Sequence, residues 1–428
     1  MNDLNEQLLD YIAASPTAYH AAAHTADLLT AAGYTRLCEG EDWTLEPGRG
    51  YFVTRNGSSL IAFRLPAGEW QGFLMAAAHG DSPAFKIKEN AELPGEHYVR
   101  LSTEKYGGML CASWMDRPLS IAGRVTVRTA EGIEVRLADL KESCALIPNV
   151  AIHMDRAAND GKKYDPAVDM LPLLRMGGGE GESLRARAAA AAGASEEDIL
   201  TTDLFVYVPQ RGVRWEDFIS APRLDDLQCA FAALTAFLRA KECKAVPIYC
   251  LFDNEEVGSE TKQGAASTFL ADTLARIAGS AEDCRRQVAH SFLVSCDNAH
   301  AVHPNHPEYQ DKNHAVYLNG GVVVKYNANQ RYTSDAVSAA IFGLACERAG
   351  VPVQRYANRA DMPGGSTLGN IANTQVSLNT VDVGLPQLAM HSAFETAGAA
   401  DTDYLVRALT EFYGAPLRMD ADGSYRLL

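Results

Sequence analysis

Across 428 residues, no apolar run approaches the roughly 20 residues that a bilayer-spanning helix needs. The opening stretch, MNDLNEQLLDYIAASPTAYH, has no basic region followed by an apolar core, which argues against a signal peptide. Basic residues are also scarce: 38 Lys and Arg face 54 Asp and Glu, a formal charge of −16. Clustered cations hold phosphate backbones, so this balance argues against nucleic acid and favours small molecules or peptides as partners. Paired cysteine spacing is missing as well. The nine cysteines, scattered from Cys38 to Cys346, read as reduced thiols in a cytoplasmic protein rather than as a disulfide framework.

What the chain does contain is core material. It is 47% hydrophobic, enough for a large interior divided among two or more domains. Leu8, Leu9 and Ile12, then Ala22, Ala26 and Leu29, recur at helical spacing near the start. His20 and His24 share a helix face there, and the simpler reading is surface histidines rather than a metal pair. Between Glu89 and Ser220 the texture shifts to short alternating segments such as GRVTVRT and GIEVRLADL, which predict antiparallel strands. The run RMGGGEGESLRARAAAAAGASEEDIL in that region reads as a Gly-rich loop before an Ala-rich helix, without the Gly-Lys-Ser/Thr ending of a phosphate cradle.

After Ser220, apolar strands (VPIYCLF, SFLVSC, GGVVVKY, VPVQRYA) alternate with amphipathic helices, the pattern of an α/β sheet covered on both faces. LMAAAH, at 74–79, belongs with them. The expected architecture is therefore an α/β catalytic domain split into residues 1–88 and 221–428 by an inserted β-rich domain at 89–220.

Acids and histidines stand where these strands end: His79 and Asp81 in HGD, Glu255 and Glu256 in DNEEVGS, and Asp297 in CDNAHAVHPN. Asp225, in PRLDDLQ, stands before a helix. Ligands of open α/β sheets bind beyond the carboxyl ends of the strands, so these residues can share one crevice. Gathered carboxylates repel one another unless cations hold them, and carboxylates with imidazoles suit a pair of zinc-like ions. Taken singly, each acid could equally be a helix cap or a solvated surface group.

The ordered set HGD, LDD, DNEEVGS, CDNAHAVHPN and LAMHS, with IPNVAIHMDR, NANQRYTS and DMPGGSTLGNI, resembles the aspartyl aminopeptidase family of dinuclear-zinc exopeptidases along most of the chain. The resemblance implies a zinc-exopeptidase-like α/β/α sandwich and an aminopeptidase that releases N-terminal Asp or Glu from peptides. It implies two divalent ions, Zn2+ with Co2+ or Mn2+ as alternatives. His79, Asp225 and Asp297 would hold one ion, and Asp225, Glu256 and His391 the other, with Asp225 as the bridge. Asp81 would orient His79, and Glu255 would be the general base.

By the same resemblance, Lys325 and His300 would read the acidic side chain, with Lys325 expected on the crevice side at the end of GGVVVKY. His303 and His306 are read with His300 as a loop following Asp297. His153 would reach a neighbouring subunit's site, which implies a homo-oligomer, typically a tetrahedral dodecamer. Asp226 departs from the family, where Asn is common. Three other readings stand beside this one: an aminopeptidase for neutral residues, a related deacylase or carboxypeptidase, and a non-catalytic peptide-binding scaffold. The 225 − 79 = 146 positions between His79 and Asp225 favour the aminopeptidase type, because the carboxypeptidase-like relatives insert their extra domain before the last histidine.

Overall fold

Every residue of the strand Phe73–His79 is buried, which a strand achieves only when both faces of its sheet are covered. Its side chains alternate accordingly. Leu74, Ala76 and Ala78 enter one core with helices Leu4–Ala13, Leu224–Arg239 and Asp401–Tyr413. Phe73, Met75 and Ala77 enter another, with helix Phe269–Ala278. The computed structural model, which describes residues 3–178 and 181–427, is thus a mixed α/β molecule with helices on both sides of a nine-stranded sheet.

Phe73–His79 occupies the middle of that sheet, flanked by Val246–Phe252 and Phe292–Cys296, both parallel to it. Asn379–Gly384 follows, parallel to Phe292–Cys296, and Val322–Tyr326 comes next, antiparallel. A second sheet is six-stranded and antiparallel, in the order Gly132–Asp139, Ser120–Thr129, Ile199–Tyr207, Ala84–Pro94, Tyr98–Tyr106, Leu173–Met176. It has its own apolar core, including Phe85, Leu101, Ile121 and Val206. The Ala-rich stretch forms helix Leu184–Ala191, capped by the Ser183 hydroxyl, which accepts from Ala186 N–H. Two residues of the preceding Gly-rich run, Gly179 and Glu180, lie outside the described residues.

A third sheet has no counterpart in the sequence reading. Its five strands, Val213–Trp215, Phe218–Ala221, Glu395–Gly398, Pro386–Leu388 and Ala299–His300, are too short to show periodicity. By pairing Phe218–Ala221 with Glu395–Gly398, it ties the entrance of helix Leu224–Arg239 to the chain around His391. All nine cysteines are free thiols. Among the described residues, no helix is long and apolar enough to cross a membrane.

Candidate metal centre

Three adjacent parallel strands end at the same edge of the large sheet. His79 closes its strand in register with Phe252, so the turn after Phe252 sets Glu255 and Glu256 beside it. Asp297 follows Cys296 on the opposite flank. Asp225 and Asp226 stand at the start of helix Leu224–Arg239 with non-helical backbones, joined by a cis peptide and preceded by a left-handed Arg223.

Asp225 lies between two histidines. Its Oδ1 is 3.5 Å from His79 Nε2 and its Oδ2 is 3.3 Å from His391 Nε2. On the first side, Asp297 Oδ1 is 3.9 Å from the same His79 nitrogen. On the second, Glu256 Oε2 is 3.4 Å from His391 Nε2. Atoms about 2 Å from one tetrahedral ion stand roughly 3.3 Å from each other, so the distances from His79 to Asp225, and from His391 to Asp225 and Glu256, are of coordination-shell size, with Asp297 somewhat further out.

The electrostatics call for cations. Asp225 is 3% exposed and Asp226 fully buried. Asp225 Oδ1 and Glu256 Oε1 are buried and accept no hydrogen bond, a costly state for a carboxylate oxygen. Burial disfavours the His79 imidazolium, yet the close carboxylates of Asp225, Asp297 and Asp81 outweigh it and raise its pKa well above the usual value. His391 rises to about 9 as Asp225 overcomes its burial. Asp225 is held well below the usual carboxylate range, against burial, by His391 and His79. Donor atoms of His79, Asp225 and Glu256, and of Asp225, Asp226 and Asp297, converge within 4.8 Å. This donor set fits divalent ions, zinc foremost.

The chain matches the model of the Aminopeptidase I zinc metalloprotease (M18) family over residues 11–413. It belongs to the M18 family. It is 42% identical over 423 residues to a probable M18 family aminopeptidase 2 of Clostridium acetobutylicum, covering 95% of this chain and 98% of that one. A Pseudomonas aeruginosa protein of the same description is 42% identical over 424 residues, covering 96% and 98%. Among solved structures, one from the complex of Ape4 and Nbr1 is 33% identical with a TM-score of 0.93, over 96% of this chain and 85% of that chain. The S. cerevisiae mApe1 dodecamer is 26% identical with a TM-score of 0.84, over 96% of both chains. The protein is thus an M18 metalloaminopeptidase, a hydrolase, and the deacylase, carboxypeptidase and scaffold readings fall away.

Within this M18 fold the other candidate residues take distinct places. His79 Nδ1 lies 3.0 Å from the main-chain oxygen of Asp81 and 3.4 Å from its Oδ1. A carbonyl can only accept, so Nδ1 carries a hydrogen, which leaves Nε2, on the Asp225 side, as the nitrogen that would hold an ion once deprotonated. The Asp81 carboxylate accepts the backbone N–H groups of Glu255 and Glu256, both at 3.2 Å. Glu255 is pushed up to about 8 by burial, with His79 opposing and Asp297, Asp81 and Asp225 adding to the rise.

Lys325 is 3% exposed. Its ammonium donates to the Asn298 carbonyl at 2.7 Å and lies 3.5 Å from Asp297 Oδ2. It arrives there on an antiparallel strand, so its long side chain, not the strand's carboxyl end, brings it to the crevice. His300 is exposed on strand Ala299–His300, with Lys325, Asp225 and Asp297 in its electrostatic surroundings. His153 is exposed on the loop after strand Gly132–Asp139 and is not among the residues gathered around Asp225. His20 hydrogen-bonds Thr17, and His24 packs against the Tyr11 ring. Asp226 accepts the His79 backbone N–H at 3.1 Å.

One residue with no sequence signal stands beneath the site. Glu395 is 2% exposed and accepts the N–H of Asp225 on Oε2 at 3.0 Å and that of His391 on Oε1 at 2.7 Å. Its two short bonds are to main-chain groups, which leave no mark in a motif; the Gln387 amide adds a long one to Oε1 at 3.5 Å.

Proposed function

We propose that this M18 aminopeptidase works with two divalent ions, most simply Zn2+, and releases N-terminal Asp or Glu from peptides. The observation that carries the two-ion reading is Asp225, whose two oxygens face two different histidines. His79, Asp225 and Asp297 would hold one ion, and Asp225, Glu256 and His391 the other. When bound, such ions supply an acidified water and a positive centre for a carbonyl oxygen.

Glu255 serves as general base: it takes the proton of the attacking water and returns it to the leaving amine. Burial and neighbouring carboxylates raise its proton affinity in the metal-free protein, and bound cations would draw it back toward that of a base ionised at neutral pH. Asp81 fixes this arrangement twice, through its carbonyl on His79 and through its carboxylate on the amides of Glu255 and Glu256.

Acidic selectivity requires a local cation in a chain of net charge −16. Lys325, with His300 at the rim, is the proposed reader. The test compares Asp-, Glu-, Leu- and Lys-p-nitroanilides on the zinc-loaded protein and on Lys325→Ala. Loss of the Asp and Glu preference with Leu cleavage retained supports the reader. An equal fall on all substrates would reduce Lys325 to a counter-charge for Asp297, and a wild-type preference for Leu would make the enzyme a neutral-residue aminopeptidase.

We further propose a cytoplasmic homo-oligomer, a tetrahedral dodecamer assembled through the inserted β-rich domain at 89–220, with His153 serving a neighbouring copy. The outer strand Gly132–Asp139 supports this, exposing Ile133, Val135 and Leu137 at 67, 53 and 38%. Alternate apolar residues on an open sheet edge mark an interaction surface.

A further inference from the structure

The six-stranded sheet does not merely sit beside the catalytic crevice. Where the chain leaves strand Tyr98–Tyr106, residues 106–113 pass along the site and touch its supports at successive positions. The Tyr106 hydroxyl donates to Asp81 Oδ2 at 2.7 Å and accepts from Asn254 Nδ2 at 2.9 Å. Gly107 has φ +75°, and a Cβ there would lie 3.1 Å from Glu256 Cβ. Leu110 N–H donates to the His391 carbonyl at 3.0 Å. Ser113 Oγ accepts Ala393 N–H at 2.9 Å.

We propose that this strap is a positioning device through which the six-stranded sheet sets the geometry of the metal ligands, with Tyr106 as its principal positioning residue. The proposal rests on the dinuclear reading above. The buried Asp81 carboxylate, 4% exposed, has two amide donors from the Glu255–Glu256 turn and the phenol as a third. Those donors fix the plane of the carboxylate and, with it, the turn that carries Glu256 and Glu255.

Asn254 locks the phenol in turn. Its own oxygen is held by Thr261 Oγ1 at 2.8 Å and Gln263 Nε2 at 2.7 Å, so its amide nitrogen faces the phenol oxygen and directs the hydroxyl hydrogen to Asp81. Further along, the strap fixes the backbone at His391 and two residues beyond it, through Leu110 and Ser113. A displacement of the sheet therefore reaches both halves of the centre, through Asp81 on one side and His391 on the other.

The Tyr106 ring packs edge-on against Phe205 at 5.5 Å, so Tyr106→Phe keeps the packing and removes only the hydroxyl. The experiment measures Zn2+ affinity by competition with a chromogenic chelator, kcat and KM on a peptide substrate, and molecular mass by light scattering. Losing such a supporting hydrogen bond is expected to lower zinc affinity and kcat together by about 10- to 100-fold, with KM and mass unchanged. Gly107→Ala is expected to do the same, because its Cβ presses on Glu256 from a left-handed backbone. Wild-type zinc affinity and kcat in either variant would overturn the proposal, whether or not the other variant folds. A wild-type protein that binds no zinc would instead overturn the dinuclear reading, before any variant is compared.

Discussion

Glu395 and Asp225 are joined through the main chain: a buried Glu395 oxygen accepts the Asp225 N–H at 3.0 Å, and its other oxygen accepts the His391 N–H at 2.7 Å. One carboxylate thus spaces the central aspartate from the histidine that shares its Oδ2. Glu395→Gln replaces one acceptor by an NH2 group facing an amide donor. The expected cost is about 1–3 kcal/mol of stability, together with weaker zinc retention. Thermal melting and a chelator titration check it, and a variant that matches wild type in both removes Glu395 from the support of the site.

Glu255→Gln preserves size and hydrogen-bonding shape but cannot accept a proton. It should retain the full zinc content while kcat falls by about 10²- to 10⁴-fold, the range expected for loss of a general base. Metal analysis beside steady-state kinetics separates the two effects. Turnover near that of wild type would place the base elsewhere.

Stability of the metal-free protein should fall as pH rises. Burial, followed by neighbouring acids, raises Glu255 to about 8, Glu395 to about 8 and Asp253 to about 7; burial alone raises Asp401 to about 7. From the usual carboxylate value near 4 up to those values, the folded chain binds protons that the unfolded chain has released, and stability declines across that window. His391, raised to about 9, acts in the same direction: its contribution is complete below its ordinary value near 6.5 and is lost as pH passes 9. Asp225, held below its ordinary range, loses its contribution only in acid. Melting curves between pH 5 and 8.5 should show zinc stabilising the protein more at the alkaline end. Equal stabilisation throughout would detach these ionisations from the metal centre.

Asp226→Asn should be neutral or stabilising at neutral pH. Burial raises the Asp226 carboxyl well above its usual value, so above the ordinary carboxylate range this group opposes folding, and a neutral amide removes that penalty. An amide oxygen can still accept the His79 N–H. The gain should vanish in acid, where both residues are uncharged. Urea titrations at two pH values decide, and a large loss at neutral pH would show that the second carboxylate supports the site.

Much of the site was legible because physics places it at recognisable points. His79, Glu256 and Asp297 follow buried apolar runs whose length and composition mark strands, and the crevice lies where parallel strands end. His391 was reached only by resemblance, since it lies on a left-handed residue beyond a three-residue strand. Lys325 shows a different limit. A run such as GGVVVKY reveals a strand but not its direction, and this one is antiparallel to its neighbour. Glu395 and Tyr106 act on main-chain groups and on another side chain's carboxylate, relations that exist only after folding.

The small five-stranded sheet bears on when the protein becomes an enzyme. By pairing Phe218–Ala221 with Glu395–Gly398, it makes the surroundings of Asp225 wait for a segment that begins 395 − 225 = 170 positions further along the chain. A growing polypeptide emerges from its amino end and folds in that order. Peptide-cutting capacity is therefore withheld until that later segment has emerged, so copies stopped short of it carry no complete centre.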